Sequence, residues 1–248
     1  MKLLVFPHSH FCEKARWALD FKGIPFEPVA VMPGLHLRTI RKIAPKSSVP
    51  VLIDGDEVVQ GADEIIHYLD QSHPSHLLTP ADNETRDACV ALEQSMDARL
   101  GENIRCILYQ TLIDYPKFIG HCFTYPMPRL KRLAIYLIYP VLRRKIYQTY
   151  VISDAFVEGA RRNFDLAMNE LEQRLSQQEY LVTDQFTRTD LSVASMLSLI
   201  VVPREHPFPW GELPDPKAKA FLDQYRDHRV SDWVRKMYRD HRLPTPTD

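Results

Sequence analysis

The alternation of apolar and polar positions changes character near residue 72. Before it, short β-branched runs alternate with helical stretches; after it come long helical periods with no good strand. Lys2-Leu3-Leu4-Val5-Phe6 predicts a first strand that breaks at Pro7. A helix then restarts with Ser9 at or near its cap and Cys12 in its first turn, because a serine oxygen can accept an otherwise orphan N–H. Pro25 to Val31 predicts a second strand, and its prolines favour an edge position. A loop and a short basic helix follow, from Gly34 through Arg38, Arg41 and Lys42. Two β-branched runs flank Asp54-Gly55-Asp56, a hairpin signal. Ile65, Ile66 and Leu69 then mark a helix over Ala62 to Leu69 that packs on the sheet.

Gln71 to Asp82 is rich in His, Ser and Pro and has the composition of a linker. Beyond it, Val90, Leu92, Met96, Leu100, Ile104, Ile107 and Leu108 predict one helix from Asn83 to about Ile113. A second long helix is expected over Asp154 to Leu175, and a last one over Pro216 to Tyr238. Thr187-Arg188-Thr189-Asp190, a variant capping box, precedes the apolar run Leu191 to Ile200. The expected organisation is an α/β domain over 1-72, a linker over 73-83 and an all-α domain over 84-248.

Bulk properties add exclusions more than detail. The 248 residues suffice for a sizeable core. Lys plus Arg (31) nearly balances Asp plus Glu (32), so nothing global points to nucleic acid. No glycine-rich phosphate loop is present. Cys12, Cys89, Cys106 and Cys122 form no Cys-x-x-Cys pair and match no zinc spacing, so no metal is expected. Pro7 cuts short any signal-peptide core. These features predict a cytoplasmic protein with free thiols.

A strand feeding a helix N-terminus aims backbone N–H groups at one small volume, which suits a thiolate or another anion. The run Ser9-His10-Phe11-Cys12-Glu13-Lys14-Ala15-Arg16 to Lys22-Gly23-Ile24-Pro25-Phe26-Glu27, taken with Val49-Pro50, resembles the start of a bacterial glutathione S-transferase. The resemblance implies a thioredoxin-like N-terminal domain, a glutathione S-transferase-type helical domain and a homodimer. It also implies glutathione as co-substrate and a small hydrophobic electrophile as its target, as in detoxification.

By that resemblance Ser9 donates a hydrogen bond to the glutathione thiolate, as against a plain N-cap. A charge-assisted hydrogen bond is worth roughly 1.5–3 kcal/mol, or a thiol pKa drop of about one to two units. Cys12 is the rival: with a thiol pKa lowered by the helix start it would run thiol-disulfide exchange with glutathione, whereas as a small core residue it would only pack. His8 and His10 flank Ser9 and either add charge and shuttle a proton near neutral pH or sit as loop side chains. Val49-Pro50 is expected to be cis, Val49 offering its backbone to the cysteinyl part of glutathione. The pair that usually grips the γ-glutamyl group falls on Gly61-Ala62, whose side chains lack the chemistry, leaving Gln60, Asp63 or backbone N–H groups to substitute. The electrophile pocket is assigned to His10, Phe11, Ile107, Tyr109 and Phe118.

Tyr115 to Ser153 is the least typical stretch. It carries Lys117, Arg129, Lys131, Arg132, Arg143, Arg144 and Lys145 among aromatic and aliphatic residues, with no Asp or Glu. Its apolar run Leu133 to Leu142 is ten residues long and contains Pro140, far from the about 20 residues a bilayer span takes. Three readings stand: a helical insert over the substrate pocket, a weak membrane-surface contact, or a helix pair packed in a dimer. A non-catalytic binding module of the same fold is the alternative from another class.

Overall fold

A computed structural model describes residues 1–242; the end of the expected helical domain, 243–248, lies outside the described residues. Four strands, β1 (Lys2–Val5), β2 (Glu27–Ala30), β3 (Val51–Asp54) and β4 (Glu57–Gln60), form one sheet in the order β2-β1-β3-β4. β2 runs parallel to β1 at the edge, and β3 and β4 are antiparallel to their neighbours. Helices α1 (His10–Phe21), α2 (His36–Ile40) and α3 (Ala62–Ser72) complete the α/β part. This is the thioredoxin-like arrangement that the resemblance implied.

The helical part comprises α4 (Asn83–Met96), α5 (Asn103–Leu112), α6 (Pro116–Thr124), α7 (Arg129–Ile146), α8 (Asp154–Leu175), α9 (Arg188–Val201), α10 (Pro216–Arg226) and α11 (Arg229–His241). Two expected helices are divided. A π-helical stretch over Asp97–Glu102 separates α4 from α5. The last helix breaks at His228, whose imidazole caps α11 by accepting from Val230 N–H at 3.2 Å. α8 keeps its expected bounds, and the capping box forms: the Asp190 carboxylate accepts from the Thr187 N–H at 2.9 Å and from Leu181 N–H at 2.7 Å.

α9 is buried all round from Arg188 to Ile200, its apolar residues enclosing Arg188, Asp190 and three serines. It packs on α1, α4 and α11, so one continuous core joins Trp17, Ala18 and Leu19 of α1 to Leu191, Val193 and Leu197 of α9 and Val234 and Tyr238 of α11. A smaller cluster of Leu4, Val31, Ile40, Ala44 and Val51 fills the opposite sheet face beneath α2.

Charge is buried at the same junction. Lys14 is fully buried, its ammonium 2.7 Å from Glu93, 2.6 Å from Asp97 and in contact with Asp63. Glu93 also pairs with Arg188, and Asp97 accepts from Ser192. Burial alone would lower the Lys14 pKa, but the three carboxylates outweigh it and hold the ammonium charged. On the same helix Glu13 pairs with Arg16 at 2.7 Å and with Arg242 at 2.9 Å. Arg16 is thereby committed to an ion pair inside the fold.

Candidate functional site

Three segments meet at one end of the sheet because register puts them there. Leu4 of β1 pairs with Val51 of β3, and Val51 pairs with Gln60 of β4. The turn after β1, the loop before β3 and the start of α3 therefore emerge side by side. Gly61 N–H donates to Pro50 O at 3.1 Å, which ties the last two together.

Ser9 caps α1 from an extended backbone (φ -80°, ψ 124°), and its Oγ accepts from Cys12 N–H at 3.4 Å. Since Oγ is the acceptor there, its proton remains available to an external acceptor. Cys12 is fully buried in the core. Burial pushes its thiol up to about 11, against the smaller lowering effects of the Phe6 backbone and Ser9. The reduced thiol pKa expected at a helix start is thus reversed, because no water reaches the sulfur to solvate a thiolate.

The flanking histidines also depart from expectation. His10 is the first helical residue, buried, and its Nε2 donates to Gly101 O at 3.0 Å. His8 Nδ1 donates to Cys122 O at 2.8 Å. Burial lowers His8 to about 4 and His10 to about 3, so neither carries charge or shuttles a proton near pH 7. Gly101 leaves no room for a side chain: a Cβ there would run into Met196 Sδ and stand 3.1 Å from Phe11 and 3.3 Å from His10 Nε2.

The Val49–Pro50 peptide is cis. Among the described residues no intrachain hydrogen bond engages the Val49 backbone, which leaves its N–H and C=O for a ligand. Gln60 is committed elsewhere. Its amide accepts from Lys46 N–H at 2.9 Å and donates to the Lys46 and Ser48 carbonyls, each at 2.8 Å, clamping the loop that presents Val49. Gly61, at φ +105°, is a turn only glycine takes without strain, and Ala62 is buried. Asp63 is held by Lys14 with its side chain about 41% exposed, so its outer face remains open. The first-turn N–H groups of α3 remain as anion donors.

The residues assigned to the electrophile pocket differ in burial and in the neighbours they meet. Ile107 is core, Tyr109 stacks on Tyr150 at 5.6 Å, Phe11 leans on His10 at 4.7 Å and Phe118 is half-buried. A cavity of about 550 Å³ opens away from them, lined by Gln110, Asp114, Tyr115, Arg161, Asp215 and Lys217. The insert does approach Ser9: Phe123 of α6 meets His8 edge-on at 4.7 Å and Phe6 at 5.8 Å. Arg105 was not anticipated. Its guanidinium lies 4.4 Å from the Tyr150 ring centre and 5.8 Å from that of Phe11, bringing a cation to the wall beside Ser9. Its place four residues before Tyr109, on a recognised helix, was the available signal.

A thioredoxin-like α/β domain followed by this helical domain defines the glutathione S-transferase fold. Residues 3–80 match the family model for the glutathione S-transferase N-terminal domain. Over 118 residues the chain is 33% identical to maleylpyruvate isomerase from Ralstonia sp., covering 46% of this chain and 54% of that protein. Over 89 residues it is 36% identical to glutathione S-transferase Z1 of Arabidopsis thaliana, covering 35% and 40%. The chain thus spans about half the length of the curated relatives it matches, and these matches support the glutathione S-transferase family. Solved structures extend the fold to the whole chain. The β-etherase LigF of Sphingobium sp. strain SYK-6 superposes with a TM-score of 0.62 at 20% identity, covering 95% of this chain and 98% of that one. The glutathione transferase URE2P6 of Phanerochaete chrysosporium, in complex with oxidized glutathione, gives 0.64 at 17% identity, covering 96% and 90%.

Proposed function

We propose that the chain is a glutathione-dependent transferase that works as a homodimer in the cytoplasm. The observation that carries this reading is the convergence of the Ser9 cap, the Val49 backbone and the start of α3 at one sheet end. In this reading Val49 pairs with the cysteinyl backbone of glutathione. The first-turn N–H groups of α3 take the γ-glutamyl carboxylate, and the open face of Asp63 takes its ammonium. Ser9 donates its hydroxyl proton to the thiolate, helped by the α1 N-terminus.

The thiolate attacks an electrophilic carbon held against Phe11, Phe123 and Arg105, forming the C–S bond as the leaving group or a π electron pair departs. Holding the two reactants together supplies much of the rate. Among hydrophobic electrophiles, one bearing negative charge gains from Arg105. Cys12 has no part in the step, because its burial opposes ionisation.

The test is a titration with reduced glutathione, wild type beside Ser9→Ala. Wild type binds and develops thiolate absorbance; Ser9→Ala loses that absorbance and about ten- to a hundredfold in conjugation rate, the equivalent of roughly 1.5–3 kcal/mol. A second reading follows from Gly61-Ala62 and the committed Gln60, which together remove side-chain grips on the γ-glutamyl group. No binding at millimolar glutathione replaces the transferase with a non-catalytic module of the same fold.

A further inference from the structure

Residues 28–53 and 115–153 each contain no Asp or Glu. The fold lays these two acid-free segments side by side. Met32 and Leu35, just before α2, line a shallow groove of about 310 Å³ with Met127, Leu130, Lys131 and Ala134. Further along α7, Ile138 reaches to 3.8 Å from where a Cβ on Gly34 would stand.

From this groove an apolar stripe runs outward along α7. Leu130 is 85% exposed, Leu133 64%, Leu137 80% and Val141 74%. Steps of three and four residues put them on one helix face. Leu35, Leu37 and Ile43 are exposed on the other side of the groove. Cations surround the apolar surface: Arg38, Arg41, Lys42 and Lys46 from one segment, Lys131, Arg144 and Lys145 from the other, all exposed. Among the described residues Arg143 pairs with Asp114, just outside its segment.

We propose that this face docks on an anionic lipid bilayer surface. α7 lies along the interface with its outward leucines among the acyl chains and the flanking Lys and Arg on the headgroups. A second copy of the chain fits worse, since an isologous contact would set two positive faces against each other. No helix among the described residues is long and apolar enough to cross a membrane, so the contact is peripheral.

The experiment is co-sedimentation of the full chain with phosphatidylcholine vesicles, with and without phosphatidylglycerol. Expected is binding to the anionic vesicles only, weakened by salt. At least tenfold weaker partitioning is expected for Leu133→Glu/Leu137→Glu and for Lys131→Glu/Arg144→Glu/Lys145→Glu. These positions are exposed, and circular dichroism with reduced-glutathione titration checks that fold and site are intact. Three results overturn the proposal: no sedimentation with either vesicle, equal sedimentation with both, or binding unchanged in the two variants. A light-scattering dimer that Leu137→Glu dissociates would likewise overturn it by assigning the stripe to a second copy.

Discussion

α1 and α7 handle charge and apolar surface in opposite ways. On α1, Glu13, Lys14, Arg16 and Asp20 are all buried, and Glu13 and Lys14 meet counter-charges from the helical part of the chain. On α7, Ile135, Tyr139 and Ile146 face inward while Leu130, Leu133, Leu137 and Val141 form a second, outward stripe. Burying an ion costs several kcal/mol unless partners surround it, so a lysine among three carboxylates tolerates little displacement. That rigidity holds α1, and with it Ser9, against α4 and α9. An exposed leucine stripe does nothing comparable for the fold. Its chemistry is directed outside the molecule.

Removing one member of the buried cluster gives the largest effect. Lys14→Met leaves Glu93 and Asp97 without their ammonium and lowers unfolding free energy by about 3–5 kcal/mol, read from the denaturant midpoint. A change near zero would mean that the cluster does not hold the two parts together.

The next effect comes from pH. His10 is lowered to about 3, and His8 and His206 to about 4, from an ordinary 6.5, in each case mainly by burial. Between pH 6.5 and about 4 the unfolded chain binds more protons than the folded one. The stability these groups contribute is complete above 6.5 and lost as pH falls through that window. His10→Asn should flatten the acid limb by about 2 kcal/mol between pH 6.5 and about pH 5, measured by urea unfolding across pH. His8 and His206 keep the remaining slope, so an unaltered limb would show that His10 is not buried in its neutral form.

The smallest effect is expected on α7. Arg143→Ala breaks a pair whose side chains are 48% and 58% exposed, and the midpoint should shift by no more than about 1 kcal/mol. A loss as large as that of Lys14→Met would erase the distinction between the two regions.

The strands, the Asp54-Gly55-Asp56 turn, the Ser9 cap and the Thr187–Asp190 box were legible because each is written in neighbouring residues. The π-helical stretch at Asp97–Glu102 left no mark, since apolar periodicity runs through it at Met96 and Leu100. Gln60 was read as a ligand contact, and its actual role depends on Lys46 and Ser48 folding back across the hairpin. Pocket residues were named singly, but their assembly depends on how α5, α6 and the β1 turn pack.

The sequence by itself determined the element order of the α/β part, the Ser9 and Thr187 caps and the edge position of β2. Only the tertiary structure decided that Lys14 finds partners at 63, 93 and 97, and that two acid-free segments share one face. It also decided that Cys12 and the two histidines stay neutral at pH 7. The reason is range: caps and turns act over three or four residues, whereas desolvation and ion pairing depend on what packs nearby, whatever its distance along the chain.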